Sequence, residues 1–202
     1  EWERQIGNST VVMEPLGAGR LTREWLPDDP PGRRRVGVLR DWLATELADA
    51  GATMLKAGNP DLAVATSKTF RSLARLTGAA PSGEGPRVKR TLTATGLRQL
   101  IAFISRMTAA DRAELEGVSA ERAPQIVAGA LVAEASMKAL SVDTVDICPW
   151  VLREGLILRK LDSEADGSGF VGGAGDARKP ASVDMSVRNA RREVARPRGN
   201  TR

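Results

Sequence analysis

This chain of 202 residues has no histidine and a single cysteine, Cys148. Those two absences exclude an internal disulfide, Cys/His metal sites, the HExxH chemistry of metalloproteases and Ser-His-Asp hydrolysis. Any catalysis must rest on carboxylates, lysine, arginine, hydroxyls or backbone N–H groups. Cys148 lies beside Pro149 at the end of an expected strand, where a small apolar thiol packs rather than reacts. Also lacking are a run of about 18 apolar residues and a charged-then-apolar leader, so neither a membrane span nor an export signal is expected, and the expected location is the cytoplasm.

What is present suits one α/β domain with a loose tail: 42% hydrophobic and 27% charged residues, 20 Gly and 11 Pro. The formal net charge of +5 is uneven, because Ala177 to Arg202 carries eight Lys and Arg against Asp184 and Glu193 and the rest is close to neutral. The basic balance belongs to the tail and argues little for nucleic-acid binding by the folded part. From Ser163 onward the chain is Gly, Ser, Ala, Asp and Arg with almost no apolar content, the composition of disorder. A domain over residues 1–162 and a disordered basic tail over 163–202 are therefore expected. Gly167, Gly169 and Gly172 in that tail spell GxGxxG, but with no strand before and no helix after, the motif lacks the context of a dinucleotide site.

The most informative stretch runs from Ser119 to Leu161. Ser119 predicts the cap of a helix that tolerates Pro124 in its first turn and runs to Leu140. One face, formed by Ala123, Val127, Ala130, Leu131 and Ala135, is small enough for a neighbouring backbone to approach closely. Gly129 costs about 1 kcal/mol relative to Ala in a helix interior unless such an approach uses it. Val142 to Ile147 reads as a short strand stopped by Pro149, and Val151 to Leu161 as a second helix. Helix, strand and helix in this order imply a parallel crossover unit.

Upstream, Thr10 to Met13 predicts a strand leading into Pro15-Leu-Gly-Ala-Gly-Arg-Leu21, whose Gly17 and Gly19 mark a strand-to-helix turn or, alternatively, a phosphate cradle beside Arg20. Asp28-Asp29-Pro30-Pro31 predicts the acidic start of a helix with Val36, Leu39, Trp42, Leu43, Leu47 and Ala50 inward, ending near Gly51. Arg33, Arg34 and Arg35 in its first turn read as a solvated face, with polyanion binding as the alternative. Asp61 to Thr66 has a buried-strand pattern and leads through Ser67, Lys68 and Thr69 into a helix closed by Gly78. There the backbone N–H groups and helix dipole, with Thr66, Ser67, Lys68 and Thr69 as donors, predict an anion site; the competing reading is that Ser67 or Thr69 only caps the helix. Pro81 to Pro86 is a loop. Thr93 then caps an amphipathic helix burying Leu97, Leu100, Ile101 and Ile104, and Thr108 with Asp111 predicts a capping box for a short helix through Leu115. Arg98 and Arg106 are too few to turn this region into a phosphate-tracking helix-turn-helix.

Four of these segments carry a family resemblance. Arg122-Ala-Pro-Gln-Ile-Val-Ala-Gly129-Ala resembles "R-A-D-x-I-x-x-G-A", Leu152-Arg-Glu-Gly155-Leu resembles "L-R-E-G-L", and Pro15 to Leu21 resembles "P-L-G-A-x-R-L". These are signatures of the bacterial exopolyphosphatase and guanosine pentaphosphate phosphatase family, relatives of actin and sugar kinases, and Thr66 to Ala74 is similar to that family's "G-G-T-x-x-x-L-A" turn. The resemblance covers Val11 to Leu161. It implies an α/β fold: a partial ribonuclease H-like domain of the actin-like ATPase superfamily, with inserted helices, matching the second of the family's two domains without its glycine-rich opening strand.

The resemblance further implies that the first domain, with its phosphate loop and water-activating acid, is missing from this chain. Arg122 matches an arginine that faces the family's substrate cleft, with Lys68 and Thr69 across from it; the alternative is a surface residue at a helix start. Ser67-Lys68 stands where the family has a double glycine, adding a cation. Cations and hydroxyls suit a phosphoanhydride substrate, so the implied substrate is inorganic polyphosphate or guanosine pentaphosphate (pppGpp). Mg2+ is implied for the complete enzyme, and the missing amino-terminal domain or a second copy of the chain as partner. On this reading the chain holds phosphate-binding but no catalytic residues. The competing readings are a non-catalytic remnant that binds polyanions or a partner protein, and a helical nucleic-acid binder using the basic tail.

Overall fold

The computed structural model describes residues 14–149. The expected strand at Thr10 to Met13, the Leu152–Leu156 signature with its helix, and the basic tail with its glycine motif lie outside the described residues.

Ala and Gly dominate the segment Ile126–Ala139 and no charge appears before Glu134, so this helix can be covered on every side. It is the helix around which the others pack. Ile126 to Leu131, Ala133, Ala135 and Met137 are all buried. Five further helices contact it: α1 (Ala18–Trp25), α2 (Arg33–Glu46), α3 (Ala48–Leu55), α4 (Lys68–Leu76) and α5 (Ala94–Ile104). The short α6 (Ala109–Ala113) packs on a 3-10 turn, Ala123–Gln125, that leads into the central helix, α7.

On one side of this helical body lies a three-stranded sheet in the order β1 (Val64–Ala65), β3 (Thr144–Ile147), β2 (Thr91–Thr93). β3 runs parallel to β1, with Val64 opposite Asp146 and Ala65 opposite Ile147, and antiparallel to β2, with Leu92 opposite Val145. Val145 and Ile147 are buried while Thr144 is exposed, the two-residue alternation expected of a strand with one covered face. The α/β class and a parallel crossover, from β1 to β3, are therefore present.

Several expectations are corrected. The Ser119 side chain does not cap the long helix. Its carbonyl instead accepts from the Arg122 and Ala123 N–H groups at 2.8 and 3.0 Å, and the α-helix begins only at Ile126, because Pro124 has no N–H to give and the turn before it tightens to 3-10. The second helix neither starts on the Asp pair nor stops at Gly51. α2 is capped by Gly32 with no acid in its first turn, and the chain continues through α3 to Leu55. Gly51 serves packing, since a Cβ there would lie 2.5 Å from the Ala139 carbonyl oxygen. Gly17, not Gly19, makes the turn before α1. The buried-strand pattern of Asp61 to Thr66 forms only two strand residues, and Leu62 and Val64 are exposed because β1 is the sheet edge among the described residues. β2 was not expected. Other features agree: Thr93 Oγ1 accepts from the Gly96 N–H, the Thr108/Asp111 capping box is formed in both directions, although α6 ends at Ala113, and Leu97, Leu100, Ile101 and Ile104 are buried.

Candidate functional site

β1 ends at Ala65, whose carbonyl is held by the Cys148 N–H at 2.9 Å. The chain turns through Thr66 and Ser67 into α4. Ser67 Oγ accepts from the Phe70 N–H at 3.1 Å, so the cap is made and the Ser67 hydroxyl keeps its own proton to donate. Lys68 and Thr69 occupy the first two helical positions, whose N–H groups have no intrahelical acceptor. Lys68 is exposed and Thr69 half-buried.

Thr69 shows why α7 carries a glycine. A Cβ at Gly129 would fall 2.7 Å from Thr69 Cγ2 and 3.5 Å from Ala18 Cβ. The first turns of α4 and α1 thus meet at one point on the central helix, the close approach that Gly129 predicts. One turn earlier, a Cβ at Gly19 would lie 2.8 Å from Gln125 Oε1, so the α1 start also packs against the 3-10 turn. Gly17 caps α1 with no side chain. Two helix N-termini therefore lie together, each with unpaired N–H groups and the positive end of a helix dipole.

Arg122 is half-buried at the head of the 3-10 turn. It lies seven positions before Gly129, and residues 122–125 are outside the α-helix. Among the described residues no hydrogen bond or ion pair joins Arg122 to Lys68 or Thr69. Gln125 thus meets Gly19 and Thr69 meets Gly129, so the starts of α1 and α4 both lie against the head of α7, with Arg122 preceding them at the start of the 3-10 turn. Thr66 and Ser67 border a different feature, an apolar cleft of about 630 Å³ lined also by Leu62, Val64, Phe70 and Leu140. Of the residues singled out in sequence, Thr69 is thus brought against α7, Thr66 and Ser67 border the cleft by the sheet edge, and Lys68 is exposed. Arg33 and Arg34 are exposed, and Arg35 pairs with Asp28 at 3.0 Å. Gln125 escaped the sequence reading; its one signal is the four-residue step to Gly129.

These donors are cations, hydroxyls and N–H groups. Mg2+ requires oxygen ligands, usually one or two carboxylates, and among the described residues no cluster of three His, Cys, Asp or Glu could hold a metal ion. Cations and hydroxyls repel or poorly ligate a divalent cation, so these residues do not fit Mg2+.

Residues 7–164 match the Ppx/GppA phosphatase family. The chain is 76% identical over 178 residues to exopolyphosphatase 1 of Mycobacterium leprae, covering 88% of this chain and 52% of that protein. It is 78% identical over 174 residues to exopolyphosphatase 1 of Mycobacterium tuberculosis, covering 86% and 48%. It thus spans about half the length of these curated relatives. In fold it is similar to the Ppx/GppA phosphatase of Aquifex aeolicus, with a TM-score of 0.63 at 24% identity over 75% of this chain and 49% of that one. An exopolyphosphatase of Cytophaga hutchinsonii gives 0.62 at 18% identity over 79% and 51%. With the match extending over well more than half of its residues, the chain belongs to the Ppx/GppA phosphatase family.

Proposed function

We propose that this chain is the substrate-binding half of a cytoplasmic phosphoanhydride hydrolase that removes the terminal phosphate of inorganic polyphosphate or pppGpp. The observation that carries the reading is the meeting of two helix N-termini at Gly129, where Thr69 packs, with Lys68 exposed next to it in the first turn of α4 and Arg122 at the head of the 3-10 turn that leads into α7. N–H groups and cations held in place before the reaction stabilise charge that grows on the leaving oxygen as the bond breaks. The names of the mycobacterial relatives favour polyphosphate.

The water-activating carboxylate and the Mg2+ site belong, on this reading, to the half of the relatives that this chain does not span. The exposed Leu62 and Val64 at the sheet edge favour a docked partner chain there, which also suits the second reading, a non-catalytic polyanion- or partner-binding member.

Alone, the chain should release no more than traces of phosphate from polyphosphate, since loss of a general base costs typically 10²–10⁴-fold. Adding the other half of a relative should restore turnover, and Lys68→Ala or Arg122→Ala should then weaken substrate use while truncation after Leu161 should not. Robust release by the chain alone would overturn the assignment.

A further inference from the structure

Arg112 is the largest side chain that the described fold buries completely, 2% exposed. Burying a guanidinium is costly, and apolar residues of similar volume often stabilise a core as well or better. What the guanidinium does here, an apolar side chain cannot. Nε donates to the Thr108 carbonyl at 3.1 Å, one terminal nitrogen to the Ala123 carbonyl at 3.0 Å, and the other to Asp29 Oδ1 at 2.6 Å. Asp29 in turn accepts from the Ala109 N–H with both oxygens, at 2.9 and 2.8 Å. The acid that the sequence suggests for the start of α2 thus serves the start of α6. Burial lowers the Arg112 pKa and Asp29 opposes that shift.

Three separate segments are tied at one charge: the α1–α2 connection, the start of α6, and the 3-10 turn. The Ala123 carbonyl adjoins Arg122, and two residues on, Gln125 lies against Gly19. We infer that Arg112 and Asp29 are positioning residues for the proposed anion site: by holding the Ala123 carbonyl they fix the turn that carries Arg122 and seats Gln125 against α1. This rests on the polyphosphate reading of Arg122 given above.

The test uses the full chain and fluorescently labelled inorganic polyphosphate, with Arg112→Lys and Asp29→Asn each made alone and combined with Arg122→Ala. Both single variants should fold with unchanged helix content and bind roughly five- to tenfold more weakly. Arg122→Ala should weaken the parent by about tenfold or more yet add less than about twofold in either background, the non-additivity of coupled sites. An equal effect of Arg122→Ala in all backgrounds overturns the inference. Should Arg122→Ala leave the parent's binding unchanged, the polyphosphate reading of Arg122 fails, and hydrogen exchange decides the positioning. The Arg122, Ala123 and Gln125 amides, which close the turn, should lose protection in Asp29→Asn while those of α5 hold; unchanged protection sinks it. If Arg112→Lys does not fold, Asp29→Asn, at a part-exposed carboxylate, carries the same comparison.

Discussion

Around α7 the chain packs five helices, and residues such as Val127, Leu131 and Ala133 are wholly buried. At β1, on the far side of the sheet, two strand residues stand at an edge with Leu62 and Val64 exposed over an apolar cleft. The difference separates what one stretch of polypeptide supplies from what a sheet needs. A helix satisfies its own backbone and asks only for a covered face, whereas a parallel strand needs a neighbour on each side for its N–H and C=O groups.

The largest effect should come from breaking the helical side. Leu131→Ala should cost about 2–5 kcal/mol of stability, read by chemical denaturation, while Leu62→Lys at the edge should change it by no more than about 0.5 kcal/mol. The same Leu62→Lys should reduce concentration-dependent self-association in sedimentation, because it puts a charge into the exposed apolar patch beside the edge strand. A chain that stays monomeric at every concentration would show that the edge is already covered.

A smaller effect tests the junction of helical side and candidate site. Gly129→Ala places a methyl against Thr69 and should destabilise by about 1–3 kcal/mol, as overpacking does. Thr69→Ser, which removes the methyl it meets, should restore much of that loss. Destabilisation that ignores Thr69→Ser would mean that the clash is not the cause.

The smallest effect lies on the surface. Arg75 hydrogen-bonds Glu116 and lowers its pKa, while Glu116 raises that of Arg75. A carboxylate with a depressed folded pKa adds stability above its unfolded value near 4.5, and that contribution disappears as pH falls through the lower folded value. The melting-temperature difference between the parent and Glu116→Gln should therefore be small and constant near neutrality and vanish in acid once the pH has fallen below the lowered folded value. A difference that persists in acid would assign it to something other than the ion pair.

Much of the helical side was legible in the sequence. The caps at Thr93 and Thr108 and the inward faces of α2 and α5 depend on residues three to four apart, and helical geometry brings those together without help; at Gly129 the sequence showed only that something must approach, not what. Arg112 could not be read this way. Its carboxylate partner is 83 residues away, and nothing local distinguishes a buried arginine from a solvated one. Nor was β2 legible: three residues ahead of a helix cap become a strand only because Val145 offers Leu92 an opposite position.

By itself, then, the sequence determined the fold class, the family signatures, most helix positions and the types of donor at the site, since these rest on composition and short-range spacing. Tertiary structure alone decided that the starts of α1 and α4 meet at Gly129, that Asp29 serves α6 rather than α2, and that Gln125 lies against Gly19. Those outcomes depend on contacts between segments far apart in the chain, which side-chain volume and the pairing of buried charge select only once the core is formed.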